Sequence, residues 1–171
     1  DEVILTGVIA NIFLAAQGHD IGQPSIQLID QLNYHKEIEM ARDLLEGYPD
    51  RIILPRWVAV REGGERAEYP VTAIPQDAPI LDLGMESVLA MSERIRRAGT
   101  VVFNGPAGVF EDADFSTGTY ELLKAASEVE FSIVGGGHTT AVVEKLGIDD
   151  DFSHISTGGG ACIEFLTGKT L

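Results

Sequence analysis

Apolar runs and amphipathic stretches alternate along this chain of 171 residues. A short, nearly apolar run indicates a buried strand, and apolar residues that recur every three or four positions indicate a helix. The runs predict strands or extended segments over residues 3–5, 51–54, 58–60, 80–83, 100–103, 131–134 and 154–156. The helical spacing predicts helices over residues 8–16, 26–45, 86–98, 117–126 and 138–146, with a further helical stretch after residue 160.

Parts of this pattern are weaker than the rest. Residues 33–35 interrupt the helical spacing of residues 26–45. Residues 62–68 are polar and contain two glycines, so we expect a surface loop there. Gly147 directly follows the last periodic position of its helix, where we expect it to end that helix.

Strands that alternate with helices indicate an α/β fold. We expect a three-layer, Rossmann-like architecture, with helices on both faces of a parallel sheet, and a single domain over residues 1–171. Ligands of such sheets bind beyond the carboxyl ends of the strands. The glycine-rich turns of this chain fall at those positions, which makes them the first candidates for a binding site.

Charge and composition exclude several classes of partner. A formal net charge of −15 repels nucleic acids and anionic membranes, so we expect neither as a partner. The apolar runs are too short to span a bilayer, no signal-peptide pattern is present, and the single cysteine, Cys162, has no internal disulfide partner. We therefore expect a cytoplasmic protein; we also expect a monomer, although the sequence does not give the oligomeric state. Its acidity fits either a high-salt cytoplasm or an ordinary acidic protein.

Two turns contain three consecutive glycines, at residues 135–137 and 158–160, each between a predicted strand and a helix. Backbone without side chains lets a phosphate oxygen approach the N–H groups, and the helix start adds unpaired donors and a positive dipole end. The alternative is a tight turn, which one glycine usually satisfies. The repetition favours anion binding, with Thr139 and Thr140 as candidate hydroxyl donors or helix caps.

Known nucleotide motifs do not account for these turns. The dinucleotide pattern G-x-G-x-x-G fails because Thr140 stands where its last glycine belongs. Gly168-Lys169-Thr170 resembles the end of a Walker A motif, but Ile163 replaces the glycine required five places earlier. The histidines lack the spacing of metal ligands, so we predict no metal site.

A third turn, at residues 104–111, reads Asn-Gly-Pro-Ala-Gly-Val-Phe-Glu. Its glycines permit close approach of a ligand, and the carboxylate of Glu111 could accept hydrogen bonds from the paired hydroxyls of a ribose. The alternative is that Glu111 is a solvated acid, since Asp112 and Asp114 follow it.

Residues 104–111 resemble the N-G-P-M-G-V-F-E signature of the phosphoglycerate kinase family. Residues 135–139 are similar to its G-G-G-D-[ST] turn, and residues 152–161 to its F-S-H-[IV]-S-T-G-G-G-A segment. Shorter matches in the right order lie at residues 5–7, 10–14, 53–55 and 80–84. The resemblance spans the chain but covers only the carboxyl-terminal, nucleotide-binding half of the family.

The family is a two-domain kinase that moves a phosphoryl group between 1,3-bisphosphoglycerate and ADP, with Mg²⁺ carried by the ATP or ADP. The resemblance implies that the amino-terminal domain, which binds 3-phosphoglycerate, is absent here and that the fragment alone transfers nothing. It also implies roles for single residues. These are Gly7 and Gly84 near the adenine; Glu111 at the ribose; Asn104, Gly136, Gly137, His138 and Thr139 at the phosphates, with Gly136 and Gly137 catalytic; and Gly158, Gly159 and Gly160 facing the transferred group and the missing domain.

Three positions depart from the family pattern. His138 replaces an aspartate that helps to hold the magnesium–nucleotide complex, Ala107 replaces a methionine, and Val8 stands where many members have glycine. The departures at residues 8 and 138 leave open a non-catalytic nucleotide-sensing module of the same fold. A dinucleotide-binding dehydrogenase domain is a further alternative.

Overall fold

A computed structural model describes residues 1–156, 158 and 160–168. In that part of the chain the helices are α1 (Gly7–Ala16), α2 (Gln23–Gln31), α3 (His35–Gly47), α4 (Met85–Arg96), α5 (Thr117–Ser127), α6 (Gly137–Leu146) and α7 (Ala161–Leu166). The strands are β1 (Val3–Ile4), β2 (Ile52–Ile53), β3 (Trp57–Glu62), β4 (Glu65–Pro70), β5 (Ile80–Leu83), β6 (Thr100–Asn104), β7 (Phe131–Gly135) and β8 (His154–Ser156). None of the described helices has the length and apolar character needed to cross a bilayer.

The chain forms two compact units. Unit 1 comprises Asp1–Val88 and Ala107–Gly118, and unit 2 comprises Leu89–Pro106 and Thr119–Leu171. The polypeptide therefore returns to unit 1 for one short stretch, Ala107–Gly118, which we call the return segment. The expectation of a single domain stays a prediction.

Unit 1 contains a parallel pair, β1–β2, and an antiparallel sheet in the order β4-β3-β5. Its apolar core combines the buried face of α1 with residues of β3 and of the helices that follow α1. The core includes Ile12, Leu14, Ile21, Ile29, Val58 and Val60, each at most 4% exposed.

The loop predicted over residues 62–68 is wrong. Strands β3 and β4 form a tight hairpin whose two turn residues, Gly63 and Gly64, have φ angles of 58° and 86°. Glycine adopts such angles at low cost, so two residues reverse the chain and the polar residues on either side pair as strands. The single helix predicted over residues 26–45 is also two helices, α2 and α3, separated at Asn33 with φ 58°.

Unit 2 contains a parallel sheet in the order β6-β7-β8. Helix α5 connects β6 to β7, and α6 connects β7 to β8, so the strands alternate with helices as the sequence predicts. Gly147 ends α6 in the left-handed conformation with φ 65°. The predicted α/β fold, with parallel sheets flanked by helices, is confirmed, while the antiparallel sheet of unit 1 was not predicted.

Candidate functional site

The three glycine-rich candidate turns each start from one row of paired residues in the sheet of unit 2. Asn104 pairs with Gly135, and Gly135 pairs with Ser156, at the carboxyl ends of β6, β7 and β8. Parallel strands in register end at the same edge of their sheet, and that edge is where ligands of α/β proteins bind. The sequence predicted that the glycine-rich turns follow the carboxyl ends of strands. The strand register shows that these three ends are neighbours at one edge of the sheet.

The three glycines between β7 and α6 are needed for different reasons. A Cβ atom on Gly135 would lie 2.9 Å from Oδ1 of Asn104 and 3.3 Å from Cβ of Cys162, so close packing excludes a side chain. Gly136 is the N-cap of α6 and has φ 92° and ψ 130°, which residues with a side chain rarely adopt. Gly137 lacks both constraints: its φ lies outside the left-handed region, and a Cβ atom there would meet nothing within 4 Å.

The two threonines of the α6 start make hydrogen bonds within the chain. The hydroxyl of Thr139, which is fully buried, accepts from the Gly105 N–H at 3.0 Å. The hydroxyl of Thr140 donates to the carbonyl oxygen of Gly136 at 3.0 Å. Their hydroxyl groups therefore hold the turn together, and the first-turn backbone N–H groups are what α6 offers to a ligand.

The α6 start suits an anion better than a metal ion. Residues 135–140 contain no carboxylate, whereas N–H groups and the helix dipole attract negative charge. His138, at the position of the family aspartate, is exposed. Across the part of the chain that the structure describes, no group of three or more His, Cys, Asp or Glu side chains is arranged to hold a metal ion.

The second triple-glycine turn is described only in part. Gly158 and Gly160 are both exposed, and Gly160 is the N-cap of α7. Gly159 lies outside the described residues, as do Lys169 and Thr170 of the Walker-like tripeptide. The roles of Gly158, Gly159 and Gly160 stay predictions.

In unit 1, the glycines predicted near the adenine also have structural roles. Gly84 is buried between β5 and α4, its N–H donates to the Trp57 carbonyl oxygen at 2.9 Å, and a Cβ atom on it would lie 2.7 Å from Cβ of Trp57. Gly7 is the first residue of α1 and has φ 62°. Local packing and backbone geometry explain why both are glycine, so their contact with adenine stays a prediction.

Glu111 lies in the return segment, is exposed and makes no hydrogen bond or ion pair with the residues the structure describes. Its neighbour Asp112 accepts hydrogen bonds from the Asp114 N–H and from Arg61, which lower the pKa of that carboxyl below its usual value. An exposed, unpaired Glu111 fits both the ribose role and the solvated-acid alternative, so its ribose role stays a prediction, whereas Asp112 is paired.

Sequence reasoning missed two charged residues that hold the return segment. Arg66 lies on β4, inside the predicted loop, and Asp82 lies inside the β5 strand with no exposed side-chain surface. Their side chains form an ion pair of 3.0 Å. The one available signal was the aspartate within the apolar run at residues 80–83, because a carboxylate in a buried strand requires a partner.

Comparison with known proteins places these features in one family. A model of the phosphoglycerate kinase family matches residues 1–169. The phosphoglycerate kinase of Methanocorpusculum labreanum is 57% identical over 171 residues, covering 100% of this chain and 42% of that protein. The enzyme of that name from Methanosarcina mazei is 48% identical over 172 residues, covering 100% of this chain and 41% of its own length.

Solved structures agree with this assignment. The crystal structure of phosphoglycerate kinase from Pyrococcus horikoshii superposes with a TM-score of 0.91 and 34% identity, covering 100% of this chain and 43% of that one. The structure of the Coxiella burnetii phosphoglycerate kinase gives a TM-score of 0.86 and 34% identity, covering 99% of this chain and 44% of that one. The sequence therefore spans less than half the length of the relatives it matches. Because the family model and the relatives cover essentially all of it, the chain belongs to the phosphoglycerate kinase family.

Proposed function

We propose that this chain is the ATP- and ADP-binding part of a phosphoglycerate kinase, which transfers a phosphoryl group between 1,3-bisphosphoglycerate and ADP in glycolysis. Family membership supports the reaction, and the glycine-rich turns support the nucleotide-binding role. The relatives named above are each more than twice as long as this chain, which is consistent with a separate phosphoglycerate-binding domain.

Gly137 is the observation that carries the nucleotide-binding role. The fold needs glycine at residues 135 and 136, but neither packing nor backbone conformation needs it at residue 137. Gly137 is the first residue of α6, where an oxygen atom of a phosphate would contact backbone N–H groups. A side chain there would occupy the space through which the phosphate approaches, so a ligand explains the third glycine.

Phosphoryl transfer depends on positioning and on neutralising negative charge more than on a covalent nucleophile. The N–H groups at Gly136, Gly137 and His138 and the dipole of α6 would hold the phosphates of the nucleotide. Mg²⁺ enters as part of the Mg–nucleotide substrate and reduces its charge, which matters for a protein with a net charge of −15. In unit 1, Glu111 is the candidate acceptor for the ribose hydroxyls.

Titration of the 171-residue chain with Mg–ADP, Mg–ATP and NAD, followed by isothermal calorimetry or amide NMR shifts, tests this function. We expect saturable binding of Mg–ADP and Mg–ATP, no preference for NAD, and no turnover in a coupled phosphoglycerate kinase assay. A preference for NAD would favour a dinucleotide-binding domain, and turnover by the chain alone would contradict the need for a second domain. The chain could bind Mg–ADP and still give no turnover after a phosphoglycerate-binding domain is added. That result would favour a sensing module.

We also propose that the protein is a cytoplasmic monomer. One cysteine in 171 residues is consistent with a reducing compartment, and the strong negative charge opposes self-association. Sedimentation equilibrium at physiological ionic strength tests the monomer.

A further inference from the structure

The return segment is fixed to the rest of unit 1 by side chains of the β3–β4 hairpin and of β5. Nη1 of Arg66 donates to Oδ2 of Asp82 at 3.0 Å and to the carbonyl oxygen of Asp114 at 2.7 Å. Oδ2 of Asp82 also accepts from the N–H of Gly118 at 3.0 Å. The ion pair of Arg66 with the buried Asp82 thus bonds both to the middle and to the end of the return segment.

The other contacts of the segment are consistent with this arrangement. The Val109 N–H donates to the Leu81 carbonyl oxygen at 2.8 Å, which joins the start of the segment to β5. The ring of Phe115 is fully buried, and the guanidinium carbons of Arg61 and Arg66 lie 4.9 and 5.8 Å from its centroid. Hydrogen bonds and cation–π contacts therefore hold the segment along its length.

Two glycines make room for the Asp82 carboxylate. A Cβ atom on Gly118 would lie 2.2 Å from Oδ1 of Asp82, and one on Gly108 would lie 2.7 Å from the same atom. Gly118 is the second residue of α5, where a carboxylate is favoured by the helix dipole. The return segment thus passes so close to the buried carboxylate that neither glycine can carry a side chain.

We propose that Asp82, with Arg66, is a positioning residue that fixes the return segment and thereby places Glu111 for ribose recognition. The proposal rests on the proposed nucleotide-binding function. Glu111 is exposed and makes no hydrogen bond or ion pair with the described residues, so contacts of its own side chain do not fix its position. The rigid contacts on both sides of it, at Val109 and at residues 112–118, restrict where its carboxylate can lie.

Ribose discrimination tests this role separately from stability. The affinities of the wild-type chain and of Asp82→Asn for Mg–ADP and for Mg–2′-deoxy-ADP are measured by calorimetry. We expect the wild type to prefer ADP by about tenfold, the equivalent of one hydrogen bond to a charged group, and Asp82→Asn to lose most of that preference. Partial unfolding would lower the affinities for both nucleotides by the same factor and leave the ratio of the two affinities unchanged.

Two further variants complete this experiment. Glu111→Gln should lose the same preference, and Arg96→Lys, which alters an exposed ion pair with Glu128 in unit 2, should keep it. If Asp82→Asn does not fold, the same measurements are made on Arg66→Lys. Lysine keeps the positive charge beside Asp82, so the buried carboxylate stays paired, but it cannot make all of the hydrogen bonds that Arg66 makes. If the variant that folds, Asp82→Asn or Arg66→Lys, keeps the wild-type ratio of ADP to 2′-deoxy-ADP affinity, the proposal is overturned.

Amide hydrogen exchange gives a readout that needs no ligand. In Asp82→Asn or Arg66→Lys we expect the N–H groups of Val109 and Gly118 to exchange about tenfold faster, with unchanged rates in β7 of unit 2. Unchanged rates at these two amides would contradict the positioning role. If the wild type does not bind Mg–ADP, the proposed function fails, and the exchange data still show whether Asp82 fixes the segment.

Discussion

The hydroxyl of Thr139 on α6 accepts a hydrogen bond of 3.0 Å from the backbone N–H of Gly105, which follows β6. Within unit 2, this contact joins the start of the turn after β6 to the turn after β7 through a side chain that is fully buried. The motif around Gly105 and the motif around Thr139 are 34 residues apart in the sequence, yet they form one hydrogen-bonded structure. Thr139 is therefore explained by its contact with the neighbouring turn, whether or not a nucleotide is bound.

Replacement of Thr139 by valine should destabilise unit 2. Valine has nearly the same shape but lacks the acceptor, so the partly buried Gly105 N–H loses its partner at a cost of about 1–3 kcal/mol. Thr139→Ser keeps the hydroxyl and is the matched control. Urea denaturation followed by circular dichroism measures both, and a midpoint of Thr139→Val equal to that of the wild type would show that the hydrogen bond contributes little.

Gly137→Ala should reduce nucleotide binding without reducing stability. The added methyl group meets nothing in the protein, and alanine at this helical position should change the free energy of unfolding by about +0.4 to +1 kcal/mol. Binding of Mg–ADP should weaken about tenfold or more because a charge-assisted hydrogen bond to the backbone is blocked.

Gly99→Ala is the control for this variant. Gly99 also has an ordinary φ and open space around its Cβ position, but it lies between α4 and β6, away from the glycine-rich turns. Wild-type affinity in Gly137→Ala, measured by the same calorimetric titration, would remove the main support for the phosphate-binding role of this turn.

Gly136→Ala should behave in the opposite way and destabilise the fold. At φ 92° a side chain is strained, although the nearest atom to the new Cβ, Oγ1 of Thr139, lies at an ordinary 3.4 Å. We expect a loss of about 1–3 kcal/mol, measured by thermal or urea unfolding. Stability equal to the wild type would mean that the turn adopts another conformation in solution.

Arg66→Met should cost more stability at neutral pH than at acid pH. Burial raises the pKa of Asp82 above 3.8, while the N–H of Gly118 and the Arg66 guanidinium oppose that increase, so removing Arg66 raises it further. When a carboxyl group has a higher pKa in the folded state than in the unfolded state, its protonation stabilises the fold at pH values below the unfolded-state pKa. This stabilisation is lost as the pH rises through the folded-state pKa. An unpaired buried carboxylate costs about 3 kcal/mol or more at pH 7.

Urea denaturation of Arg66→Met between pH 4 and pH 7 measures this dependence. The double variant Arg66→Met with Asp82→Asn has no carboxyl to titrate at residue 82, and its loss of stability relative to the wild type should vary less with pH. A loss in Arg66→Met that is the same at pH 4 and pH 7 would contradict the assignment to Asp82.

The periodicity of the sequence was sufficient to predict the regular elements of unit 2. Strands β6, β7 and β8 and helices α5 and α6 lie within a few residues of their predicted bounds, because a buried strand and an amphipathic helix each have a local pattern. The β3–β4 hairpin was not predicted, because β4 carries polar residues such as Arg66 and Glu68, which also bond to groups distant in the sequence.

The sequence by itself determined the family, the alternation of strands and helices, and the positions of the glycine-rich turns, since each is a local arrangement of residue types. Only the tertiary structure decided why each glycine is there. Packing against Asn104 explains Gly135, backbone conformation explains Gly136, and neither explains Gly137. It also decided that Asp82 and Arg66 pair, because a buried charge is stabilised by groups that folding brings to it from elsewhere in the chain.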